Sequence, residues 1–225
     1  MSKYQKYQKS ISIDDFFKLN LNPKFIQVHH NEFSLKHVLL HEFGLPLGAT
    51  DEMVDKKIKE IDETFDLVMV VEHFDKSMVL LKNLLQWNFE DVSSLKLNTV
   101  PKNMKSKISN STRTKMRKWF EADYKLYDHF KTKLERNLKH FGEFELDKEL
   151  KKYHQVQNKI KEKCPIKTVP RESLPKEDRP WSLVSEAYKI LSDDPECQMI
   201  GMQEPKFINL LRKEQNERIS NLQDL

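Results

Sequence analysis

From Phe65 to Trp87 the chain reads Phe-Asp-Leu-Val-Met-Val-Val-Glu-His-Phe-Asp-Lys-Ser-Met-Val-Leu-Leu-Lys-Asn-Leu-Leu-Gln-Trp. A continuous apolar run ends at Glu72, a polar break follows, and apolar residues at helical spacing begin near Ser77. The pattern predicts a buried strand over Phe65–Val71 and a helix over Ser77–Leu85 packed on it. Val79 to Leu85 is apolar nearly all round, which predicts burial on several sides. Upstream, Thr50-Asp51-Glu52 reads as a helix start, a capping hydroxyl followed by acids that suit the dipole. Val54, Ile58 and Ile61 continue that helix. Helix, strand and helix follow without a proline, as in a compact α/β unit.

Other segments carry their own periods. Ser12-Ile-Asp-Asp-Phe reads as a helix start, Asn22-Pro23 as a break, and Phe43 to Gly48 as a second break. Val92 to Leu97 suits a short strand. Pro101 to Lys118 reads as a basic connection of low order. A long helix follows, with Met116, Phe120, Tyr127, Phe130, Leu134, Leu138 and Phe141 on one stripe and Gly142 as its C-cap. Leu146, Leu150, Tyr153, Val156 and Ile160 fit a further helix. Pro165, Pro170, Pro175 and Pro180 mark an extended linker, and Trp181–Leu191 and Pro205–Leu222 read as terminal helices. The expected organisation is a main region over 1–164, a linker over 165–180, and terminal helices of the same domain over 181–225.

Composition narrows the picture. Apolar residues make up 38% and charged residues 33% of the 225, so much of the surface must be charged helix. Only 4 glycines occur, which favours helices over a meandering all-β fold. The net charge of +4 is mild and argues against nucleic acid as a partner. The start of the chain lacks the apolar stretch of a secretory signal, and no run approaches the roughly 20 apolar residues of a membrane span. Cys164 and Cys197 flank the proline-rich connection. They fit a disulfide in an oxidising compartment or two buried thiols, and the sequence leaves both open.

Candidate chemistry falls in several places. Glu72, His73 and Asp75 sit at the carboxyl end of the predicted strand, where ligands bind in α/β proteins. They can do acid/base work or hold sugar hydroxyls; alternatively Asp75 caps the next helix and His73 is solvated. Asp123 interrupts the apolar stripe, with Asp128 and His129 about a turn later. A carboxylate on a buried face needs a partner, so a salt bridge or backbone hydrogen bond outranks catalysis. Its removal would cost about 3–5 kcal/mol if a buried cation were left uncompensated. His37 and His41 have zinc-sharing spacing, with His29 and His30 nearby, but HExxH is not completed and no metal site is expected. Lys102, Lys105, Lys107, Arg113, Lys115, Arg117 and Lys118 can hold a phosphate or sulfate, or form a solvated face. Asn110-Ser-Thr112 is a possible glycosylation sequon, meaningful only in the secretory pathway.

The run Phe65–Trp87, with Asp91-Val92 and Lys96-Leu97-Asn98 after it, resembles the signature segment of the galactose 3-O-sulfotransferases, galactosylceramide sulfotransferase among them. Phe43-Gly44-Leu45 resembles that family's D-F-G-L. Trp119, Asp123, Leu126, Tyr127, Asp128, His129 and Phe130 resemble its W-N-x-L-D-x-x-L-Y-D-H-F-N, and Cys197 to Phe207 looks like a degraded C-x-x-x-x-x-P-E-x-x-Y block. Gln86 stands in place of a family cysteine, and Lys131 to Glu135 replaces a segment that carries a sequon.

The resemblance implies the C-terminal half of a P-loop-like α/β sulfotransferase fold, predominantly helical with one or two strands. It implies a Golgi membrane glycoprotein of glycolipid biosynthesis, on the lumenal side, moving sulfate from PAPS to the 3-hydroxyl of a galactose-terminated glycolipid or glycan. In the family the N-terminal half carries the membrane anchor, the donor loop and the candidate catalytic histidine region. None has a match here. No catalytic residue is carried over, and the chain alone is expected to be inactive. The alternative is a non-enzymatic helical interaction module descended from that family.

Overall fold

The computed structural model describes residues 13–18, 38–46, 48–97, 99–102, 105, 107–180, 182 and 185–223. His29, His30, His37, Trp181 and the Asn22-Pro23 break lie outside them. In chain order the helices are α1 (Ile13–Lys18), α2 (Val38–Glu42), α3 (Asp51–Thr64), α4 (Phe74–Leu85), α5 (Asn110–Trp119), α6 (Glu121–Phe141), α7 (Glu143–Lys163), α8 (Pro195–Ile200) and α9 (Glu204–Gln223). Strands β1 (Ile166–Val169) and β2 (Ala187–Ile190) lie between α7 and α8. The molecule is mostly helical with a small two-stranded sheet, consistent with an α/β class. The chain separates into two compact units, Met1–Ser77 with Ser106–Glu143, and Met78–Lys105 with Phe144–Leu225.

The first unit is built on helix packing. Thr50 caps α3 by accepting from Met53 N at 3.3 Å, and Asp51 and Glu52 occupy the first turn. Val54, Ile58 and Ile61 point from α3 into a cluster with Leu40, Leu45, Ala122, Leu126 and Phe130. Each of these side chains larger than alanine contributes about 1.5–3 kcal/mol through burial. The basic connection turns out to be partly helical: Ser109 caps α5 by accepting from Thr112 N. A break at Phe120 then separates α5 from α6. Phe130, Leu134 and Leu138 of the predicted stripe are buried, joined by Ala122, Asp123 and Leu126. Gly142 ends α6 at φ 94°, a region costly for any side chain bearing Cβ.

The predicted strand over Phe65–Val71 does not form. Residues 65–70 belong to no ladder among the described residues, and Val71–His73 is a 3-10 turn. Phe65 is 44% and Val71 86% exposed, while Val70 alone of the run is buried. Apolar content makes a run suitable for a strand, but a strand also needs a neighbour to satisfy its N–H and C=O groups. The helix after it does form, starting at Phe74. It buries Ser77, Met78 and Val79 but leaves Leu84 and Leu85 exposed, so burial is confined to the first half of the helix.

The second unit contains α7, which buries Leu146, Tyr153 and Gln157. Two paired strands stand where the sequence predicts a linker and a first terminal helix. Ile166–Val169 pairs antiparallel with Ala187–Ile190, in the register Ile166↔Ile190 to Val169↔Ala187. Pro170 and Pro175 each precede a 3-10 turn, Arg171–Ser173 and Lys176–Asp178. Prolines fix φ near the value such turns use, so they mark structure here rather than its absence. Among the described residues Val92–Leu97 joins no ladder. Cys164 and Cys197 form a disulfide across a separation of 33 residues, which fastens the end of α7 to α8. Leu95, Ile160, Ile166, Ile190 and Ile200 pack around it. Among the described residues no helix is long and apolar enough to cross a membrane.

Candidate functional site

Helix α6 organises the candidate site in the first unit. Tyr127 Oη donates to Glu72 Oε1 at 2.9 Å. The backbone N–H of Glu72 itself, and then the Tyr127 hydroxyl, hold the Glu72 carboxyl below its ordinary pKa. The same bond pushes the Tyr127 phenol up. His73 Nε2 lies 3.3 Å from Glu135 Oε1. Tyr127 and Glu135 are about 12 Å apart along a helix rising about 1.5 Å per residue. Glu72 and His73 are thus drawn to separate points on α6, and Asp75 sits exposed in the first turn of α4.

Asp123 is 8% exposed. Its Oδ1 accepts from Leu40 N at 3.1 Å and its Oδ2 from Leu39 N at 3.3 Å. The carboxylate therefore caps the first turn of α2 from 84 residues away, satisfying donors that a helix start leaves open. Sequence resemblance does not reveal this, because the partner is backbone.

Next to this cap lies a groove of about 420 Å³, lined by Leu39, Glu72, Phe120, Asp123, Tyr124 and Tyr127. That volume falls in the range of about 300–1,000 Å³ usual for small-molecule sites. Phe120, Tyr124 and Tyr127 recur one helical turn apart, so their rings share a face. The Arg117 guanidinium stands 4.8 Å from the centre of the Tyr124 ring and donates to Asp128 Oδ2 at 2.6 Å. The groove offers aromatic walls and one accessible, ionised carboxylate. Sequence reading placed Phe120 and Tyr127 on a core stripe and gave Tyr124 no role. The signal that distinguishes them is tyrosine where leucine would serve a core better.

The remaining candidates are structural. His41 Nδ1 lies 3.3 Å from the Leu45 carbonyl. Among the described residues no cluster suits a metal ion. His129 Nε2 pairs with Asp62 Oδ2 at 3.2 Å, and Lys133 with the same carboxylate. Two cations of the basic stretch have protein partners. Arg117 is engaged by Asp128, and Lys115 Nζ donates to the Phe17 carbonyl at 3.1 Å. The start of α5 already faces a carboxylate: Asp14 Oδ1 accepts from Ser109 N and Oγ, both at 3.2 Å. The Thr112 side chain and the Ser109 N–H hold the Asp14 pKa down. A phosphate there would meet a fixed negative charge.

The chain matches the family Galactose-3-O-sulfotransferase over residues 6–172, and it belongs to that family. It is 34% identical to the human Galactose-3-O-sulfotransferase 2 over 104 residues, 45% of this chain and 26% of that protein. It is 29% identical to the Bos taurus Galactosylceramide sulfotransferase over 137 residues, 60% of this chain and 32% of that protein. It is 27% identical to the mouse Galactose-3-O-sulfotransferase 3 over 175 residues, 72% and 41% of the two chains. The chain thus spans between about a quarter and two fifths of these curated relatives. No solved structure matches it.

Proposed function

We propose that this chain supplies the acceptor side of a PAPS-dependent galactose 3-O-sulfotransferase, and that the groove on α6 holds a terminal galactose of a glycolipid or glycan. The observation that carries the reading is the pairing of aromatic walls with Glu72. Aromatic rings pack against the apolar face of a sugar. An ionised carboxylate accepts hydrogen bonds only, which suits it to sugar hydroxyls. A carboxyl held below its ordinary pKa is a weak proton acceptor near neutrality. Glu72 therefore orients a hydroxyl rather than removing its proton. Sulfuryl transfer also needs aligned positive charge on the donor. Lys115 and Arg117 of the basic stretch are engaged by protein groups, which supports the expectation that the 225-residue chain alone does not turn over. The Golgi lumen, an oxidising compartment, suits the Cys164–Cys197 bridge.

Saturation-transfer NMR of the 225-residue chain with lactose tests the reading. Saturation is expected on the galactose ring, with the glucose ring weak. Tyr124→Ala should abolish the signal and Glu72→Gln should reduce it several-fold. Equal saturation of both rings, or signals indifferent to both substitutions, overturns the acceptor site. Turnover of galactosylceramide with PAPS by this chain would overturn the absence of a donor grip.

A further inference from the structure

The triplet Asn110-Ser111-Thr112 is the only Asn-x-Ser/Thr sequon in the sequence, and its middle residue is not proline. Its two functional residues have opposite surroundings. Asn110 is the first residue of α5 and is exposed, so a group on its amide extends into solvent without displacing any core side chain. Thr112 is 5% exposed. Its Oγ1 accepts from Ser109 Oγ at 3.0 Å, and its side chain also hydrogen-bonds the Asp14 carboxylate. The second unit adds an independent observation. Its cysteines are joined, and disulfides persist in the secretory compartments where N-glycans are attached.

We infer that Asn110 is an N-glycan acceptor, modified before Thr112 is buried in the first turn of α5. The co-reactant is a lipid-diphosphate-linked oligosaccharide. Asn110 Nδ2 forms a bond to its anomeric carbon as the carbon–oxygen bond to the diphosphate breaks. The lipid diphosphate leaves with the electron pair, and the amide proton passes to solvent. Recognition of the sequon requires the hydroxyl of its third residue, and here that hydroxyl is free only in the unfolded segment. Folding and glycosylation therefore compete in time. Once attached, the glycan leaves the Ser109–Thr112–Asp14 network intact, because it projects from the first position of the helix.

The test is translation of the full chain behind a secretion signal into microsomes, followed by gel electrophoresis with and without an N-glycosidase. One glycosidase-sensitive shift is expected. It should be lost in Asn110→Gln and in Thr112→Ala, and kept at least in part in Thr112→Ser. Modification precedes folding, so a variant that folds badly still reports. Purified, folded, unglycosylated chain offered to solubilised microsomes should remain unmodified, whereas the same chain reduced and denatured before dilution should accept a glycan. Translocated chain without a shift overturns the site. Equal modification of folded and denatured chain overturns the order of events.

Discussion

The two units are held by different means. The first depends on side-chain fit: Phe130 is 2% and Leu134 1% exposed, and a buried carboxylate caps a helix distant in sequence. The second also buries Val79 and Tyr153, and it adds a covalent tie between Cys164 and Cys197. Its sheet has two strands of 4 residues each, and isolated two-stranded sheets are marginal in water. The difference teaches where each unit is vulnerable. Packing can be damaged one methyl group at a time, whereas a cross-link is lost all at once and only to a reductant.

Reduction is therefore the strongest way to break the comparison. Closing a loop of 33 residues removes unfolded-chain entropy worth about 3–4 kcal/mol. Dithiothreitol, or Cys164→Ala with Cys197→Ala, should speed hydrogen exchange in β1, β2 and α8 and leave α3 and α6 protected. Equal loosening of α3 and α6 would show one cooperative unit and end the distinction.

A smaller effect probes the first unit. Removal of the Asp123 carboxylate leaves the Leu39 and Leu40 N–H groups without their acceptor. Helix caps and charge-assisted hydrogen bonds place the loss at about 1–3 kcal/mol for Asp123→Ala. That is below the loss expected had the partner been a buried cation. Asp123→Asn keeps an acceptor and should recover part of it. Thermal denaturation monitored at the tyrosine and tryptophan signals reads both variants, and an Asp123→Ala midpoint equal to the parent would remove the cap from the account.

These same features show what the sequence carries and what it withholds. The start of α3 at Thr50, the Gly142 cap and the Phe130–Leu134–Leu138 face follow from local chemistry and spacing, which the chain displays directly. Family membership was equally visible in Phe65–Trp87. The structure of that very segment was not, because a strand is defined by a partner elsewhere and apolar content does not name one. β2 escaped for the opposite reason: Ala-Tyr-Lys-Ile is too short for its alternation to stand out beside helical patterns. In the candidate site, Glu72 and Asp123 stood out as acids in apolar company. Their partners, a tyrosine 55 residues away and the backbone of α2, depend on tertiary contacts.

The least of the expected effects compares one ion pair from each unit. Asp62 meets Lys133 and His129 in the first, and Glu149 meets Lys82 and Lys152 in the second. Hydrogen bonds from Lys133 and from Lys152, respectively, are the largest causes that lower the two carboxyl pKa values. The ordinary values are 3.8 for Asp62 and 4.5 for Glu149. Above them both carboxylates are ionised in folded and unfolded chains, and the pairs contribute in full. As pH falls through each ordinary value and on through the lowered folded one, the unfolded chain takes up the proton first. Each unit thus loses stability toward acid, by about 1 kcal/mol or less for pairs this close to solvent. The side chain of Glu149 is 12% exposed and that of Asp62 31%, so salt should screen Asp62 more. Urea denaturation of Asp62→Asn and Glu149→Gln at pH 7, in low and high salt, checks this. The Asp62→Asn deficit should shrink with salt while the Glu149→Gln deficit persists, and the reverse order would show that burial does not govern how these pairs are screened.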